Sequence, residues 1–138
     1  MCDKRAQPKP DQVAVRHYLD IARAGQIESA FFGLIDLDKS VLPILEQEFR
    51  AETDPSIRAL IIKVVWDARR PGSIPFLAEA LSDPHPQVWN EALDGLVALA
   101  SPESRAVVES EITSARDPAR RALLHEALEQ IQTSSTGF

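Results

Sequence analysis

The apolar positions of this chain advance in steps of three and four. From Asp11, a residue able to cap a helix, Val15, Tyr18, Leu19 and Ala22 recur at helical spacing until Gly25 supplies a stop. A second stretch, from Ile27 through Phe31, Phe32, Leu34 and Ile35 to Asp38, is apolar on nearly every side. A helix of that kind needs neighbours all round, so it is expected deep in the core. Nowhere does period-two alternation last long enough to make a strand.

Beyond residue 40 the pattern repeats itself. Leu42-Pro43-Ile44-Leu45 and Phe49 match Ile74-Pro75-Phe76-Leu77 and Leu81 at an offset of 32, each after a serine (Ser40, Ser73) that can cap a helix with proline in its first turn. Turns at Asp54-Pro55 and Asp83-Pro84 follow, then longer helices in which Ile57, Ile61, Ile62 and Val65 match Val88, Ala92, Leu93 and Leu96 at an offset of 31. A degenerate third copy holds Val108 and Ile112, the Asp117-Pro118 turn, and Leu123, Leu124, Ala127, Leu128 and Ile131. With the leading pair this predicts about eight helices in four antiparallel pairs. One pair cannot bury its own apolar stripe, whereas stacked pairs build a continuous core, and a terminal repeat is atypical because one face meets water. Pro8 and Pro10 push their predecessors out of the helical region, so residues 1–10 are expected as a flexible lead, 11–132 as a single helical domain and 133–138 as a disordered tail.

The run Ser73-Ile74-Pro75-Phe76-Leu77-x-x-x-Leu81-x-Asp83-Pro84-x-Pro86-x-Val88-x-x-x-Ala92-x-x-x-Leu96 resembles the short HEAT-like repeats first described in phycobilisome lyases and found in many bacterial proteins. The resemblance covers roughly residues 40–132. It implies an all-α solenoid whose second helices form the inner, concave layer. That family usually places Arg after the Val of the second helix; here the slot holds Arg58, then Trp89, then Arg120. On the implied layout these three side chains form a ridge across the hollow face, bordered by Asn90 and Asp94. Tryptophan and arginine are the residues most enriched at binding hot spots. Trp66 aligns with Val97 and Leu128 and is expected buried; Trp89, beside Asn90, Glu91 and Asp94, is expected partly exposed.

Composition narrows the function without naming it. Hydrophobic residues make up 44% and charged ones 26% of 138, an ordinary globular profile for one domain. The net charge of -6, with no basic cluster longer than Arg69-Arg70 or Arg120-Arg121, argues against nucleic acid. Cys2 is the single cysteine, so no internal disulfide can form and a reducing, cytoplasmic setting is expected. The charged, proline-bearing start does not read as a secretory signal, and no stretch approaches the ~18 apolar residues of a membrane span. His17, His85 and His125 fall in different repeats without a second ligand at metal spacing, and Asp36 and Asp38 read as caps for the next helix; no metal or cofactor is expected. No nucleophile elbow or phosphate-cradling loop occurs among five glycines, so no enzyme is expected.

These readings point to a protein-interaction module that clasps a partner on its concave face. Its size and acidity resemble those of immunity proteins of bacterial toxin systems, which implies a basic toxin domain as the partner. Two alternatives stand beside it. The family resemblance also admits a bilin lyase or a HEAT-like DNA glycosylase, although four helix pairs leave little room for a tetrapyrrole and the acidic balance opposes a DNA groove. A self-assembling scaffold is the other.

Overall fold

The computed structural model describes residues 9–136, within which lie eight α-helices, two short 3-10 turns and no strand. The helices are α1 (Pro10–Arg23), α2 (Ile27–Ile35), α3 (Leu42–Ala51), α4 (Pro55–Asp67), α5 (Ile74–Leu81), α6 (Pro86–Leu99), α7 (Pro102–Ser114) and α8 (Pro118–Thr136). They pack as the four expected pairs, α1 on α2, α3 on α4, α5 on α6 and α7 on α8. The second helices also pack on one another as a layer. Its most extensive contact is α4 with α6, flanked by α2 on α4 and α8 on α6.

The Asp-Pro turns share one device. The carboxylates of Asp54, Asp83 and Asp117 accept the backbone N–H two residues on, from Ser56 (2.9 Å), His85 (2.9 Å) and Ala119 (3.2 Å). A proline then opens α4 and α8, where its missing N–H and fixed φ cost the helix nothing. In the middle copy the cap passes to His85, whose Nδ1 accepts from the Gln87 N–H at 3.2 Å, and Pro86 opens α6. The serine caps expected for α3 and α5 do not form. The 3-10 turns Lys39–Val41 and Pro71–Ser73 run straight into those helices, and Asp38 serves the first by accepting from the Ser40 N–H at 2.9 Å.

Two boundaries and the burial of one helix differ from expectation. Helix α1 begins at Pro10 with Lys9 as its cap, and Asp11 sits inside the first turn; the Lys9 N–H donates to Gln12 Oε1 at 3.1 Å. Proline is well suited to a first helical position, so the lead is shorter than its composition implied. Helix α8 continues to Thr136, so residues 133–136 are helical where a disordered tail was expected. No proline or glycine interrupts the chain between Pro118 and Gly137, and the Thr133 hydroxyl donates to the Glu129 carbonyl at 2.9 Å. The rest of the expected lead and tail, residues 1–8 and 137–138, lies outside the described residues. Finally, α2 is not buried all round: Ala30 and Leu34 are, while Phe32 is 55% exposed. Among the described residues α2 packs on α1 and α4, and these two helices leave Phe32 uncovered.

Polar links between repeats fall at constant spacing, as stacking of equivalent units requires. Arg23 to Glu52, Arg50 to Glu79 and Arg69 to the Ala98 carbonyl each span 29 positions. Arg58 to Asp83 and Trp66 to Glu91 each span 25. Beneath them Leu19, Leu45, Ile61, Leu77, Leu96 and Leu124 are fully buried and belong to one apolar core. Close approach of α6 to α4 depends on Gly95, where an added Cβ would come within 2.7 Å of the Trp66 ring.

Candidate functional site

The slot singled out by the repeat alignment is occupied by the fold itself. Arg58 lays its guanidinium 4.0 Å from the centre of the Phe49 ring. Its Nη1 donates to the carbonyls of Phe49 (3.0 Å) and Glu52 (2.9 Å) at the end of α3, where the Phe49 carbonyl also accepts from the Glu52 N–H, and its Nη2 pairs with Asp83 at 2.7 Å. In the next repeat the same slot holds Trp89, which has no such fork of donors. The Leu81 carbonyl, counterpart of Phe49 at the end of α5, is reached instead by Arg120 of the following repeat. To get there, Arg120 stacks 4.7 Å over the Trp89 indole.

Trp89 is therefore 6% exposed, not partly open to solvent as its polar neighbours suggested. Residues adjacent in sequence point about 100° apart around a helix, and position 89 turns toward the carbonyl ends of the first helices while 90 and 94 turn away. The three residues expected to form a ridge and the two expected to border it are thus divided. Arg58, Trp89 and Arg120 knit repeats together; Asn90 and Asp94 are exposed on α6. Burial pushes the Asp94 carboxyl above the usual carboxylate range.

A different feature opens on the layer of second helices. A groove of about 500 Å³ crosses α2, α4 and α6, lined by Ile27, Phe31 and Phe32 from the first, Leu60 and Lys63 from the second, and Gln87 and Glu91 from the third. Helical spacing explains the alignment: 27 and 31, 56, 59, 60 and 63, and 87 and 91 are each one stripe of a helix. Asn90 and Asp94 are exposed on α6 and are not among the residues that line the groove. Phe31 and Phe32 meet edge to face, with centroids 5.5 Å apart, and the Lys63 ammonium sits 4.7 Å from the Phe31 ring centre.

Glu91 is the polar focus of this surface. One of its oxygens accepts from the Trp66 indole N–H at 2.9 Å. Its carboxyl is pushed above the usual range by burial first and by nearby Asp94; the Trp66 hydrogen bond and the Lys63 charge pull the other way. Trp66 itself, expected buried, is half-buried, with its ring packed on the core and its N–H turned to the groove. None of Phe31, Phe32, Lys63 or Glu91 was legible as a site residue. The available signal was the all-round hydrophobicity of α2, which carries more apolar surface than α1 and α4 cover.

Other candidate chemistry is spent locally. His17 meets Tyr18 edge to face at 5.1 Å and His85 caps α6. Among the described residues no three His, Cys, Asp or Glu gather as metal ligands, and no helix is long and apolar enough to cross a membrane. A protein-family model described as HEAT repeats matches residues 42–129. No curated protein and no solved structure matches the chain.

Proposed function

We propose, from the premise that this chain belongs to the HEAT-repeat family, that it binds a partner protein in the groove across α2, α4 and α6. HEAT repeats commonly mediate protein–protein interaction. The observation that carries the reading is Phe32, 55% exposed at the lip of a 500 Å³ groove. Covering the exposed half of such a side chain is worth about 1 kcal/mol, which the folded chain leaves available to a partner.

A basic partner suits this surface. The chain carries a net charge of -6, which would steer a cationic domain toward it and speed association. An immunity role, with a basic toxin domain as partner, is consistent with that balance. Selection of short random peptides on the chain tests the site. Binders should lose affinity for Phe32→Ala and keep it for Arg116→Ala, on an exposed turn away from the groove. Binders equally indifferent to both changes would overturn the groove.

A further inference from the structure

Resting on that reading, we infer that the groove takes a partner segment in which a Lys or Arg side chain stands beside an apolar one, the cation on Glu91 and the apolar group on Phe32. Three observations lead there. The Glu91 carboxylate is half-buried, and among the described residues its one hydrogen-bond donor is the Trp66 indole, on one oxygen. The other oxygen is available within the groove, where a charge-assisted hydrogen bond would be stronger than in water.

The second observation is the state of Lys63, the cation that also lines the groove. Its ammonium lies over the Phe31 face, 4.7 Å from the ring centre, and no ion pair joins it to Glu91 among the described residues. The third is the surrounding charge. Glu28 in the α2 wall adds a second carboxylate to the lining and Asp94 lies close enough to act on Glu91, so acidic charge outweighs the one ammonium there. The aromatic pair supplies the companion pocket: Phe32 is open, and Phe31, Leu60 and Ile27 continue its surface inward. An Arg fits both halves, since its guanidinium pairs with a carboxylate while its stem and flat face pack on a ring.

The test uses the folded chain and the peptides selected on it. Peptides whose binding depends on Phe32 are sorted by composition and measured by calorimetry against the parent chain, Glu91→Gln, Lys63→Ala and Phe32→Ala. A basic residue should recur beside an apolar one. Glu91→Gln should weaken those peptides about tenfold or more, equivalent to about 1.4 kcal/mol, and replacing the peptide's basic residue with Gln should weaken them equally, with no further loss when both changes are combined. Phe32-dependent peptides that lack a basic residue, or that lose affinity on Lys63→Ala and not on Glu91→Gln, would overturn this inference while leaving the groove intact. Peptides that bind without regard to Phe32 would remove the groove as well.

Discussion

Two sets of side chains on the same layer of helices have opposite fates. Arg58, Trp89 and Arg120 occupy one equivalent slot in α4, α6 and α8, and include the residue types most often found at binding hot spots. Phe31, Phe32, Lys63 and Glu91 occupy unrelated positions in α2, α4 and α6. The first set is consumed by the repeat: its guanidiniums cap carbonyls at the ends of α3 and α5, and its indole lies beneath Arg120. The second is not taken up in this way: Phe32 stays exposed and the four side chains line a groove. Residue type announces capacity for contact, and position within the stack decides whether the fold or a partner takes it up.

The largest expected effect tests the slot. Trp89→Ala should lower stability by about 3–5 kcal/mol in chemical denaturation, since it removes a buried aromatic and the platform for Arg120. A loss below about 0.5 kcal/mol would place the indole at the surface and reinstate the slot as a binding ridge. Next comes Arg58→Met, which keeps an apolar stem but removes the guanidinium that joins the Phe49 and Glu52 carbonyls to Asp83; about 1–3 kcal/mol should be lost.

At the groove the order of effects reverses. Phe32→Ala should change stability by no more than about 0.5 kcal/mol. The same change should weaken a groove-bound partner by about 2 kcal/mol. A large drop in melting temperature with unchanged affinity would show Phe32 to be a packing residue and dissolve the contrast.

The smallest effect concerns pH. Glu91 is held above the ordinary carboxylate value, so at low pH, where both folded and unfolded chains are protonated there, it carries no cost. As pH rises between the ordinary and the raised value the unfolded chain ionises first, and stability falls slightly. A cationic partner needs the ionised form, so its affinity should rise as pH passes upward through the folded value. The groups facing Glu91 are Lys63 and Trp66 from α4 and Asp94 on α6, with Glu28 in the α2 wall. The pH dependence should flatten in Glu91→Gln, and a slope unchanged by that substitution would assign it to another group.

The fold was legible because repetition constrains it. The prolines after Ser40 and Ser73, the Asp-Pro turns and the apolar steps from Ile57 to Val65 and from Val88 to Leu96 serve the same purpose in each copy. The helix pairs follow from them, although Asp38, and not Ser40, caps the turn before α3. The site was much less legible, for two physical reasons. Whether Trp89 faces solvent depends on the rotation of α6 about its own axis against α5, and the polarity of Asn90 and Asp94 reports a face about 100° away. The groove includes the exposed Phe32 of α2, and an apolar run such as Ile27 to Ile35 reads the same whether neighbours surround it or not.

The two tryptophans supply the most direct measurement. Trp66 donates its indole N–H to Glu91 at the groove, and Trp89 lies in the slot beneath Arg120. In a nitrogen-15 NMR titration with a Phe32-dependent peptide, the Trp66 indole resonance should move to saturation with the binding curve while that of Trp89 stays in place. Movement of Trp89 with Trp66 unmoved would put the partner on the slot and contradict the account.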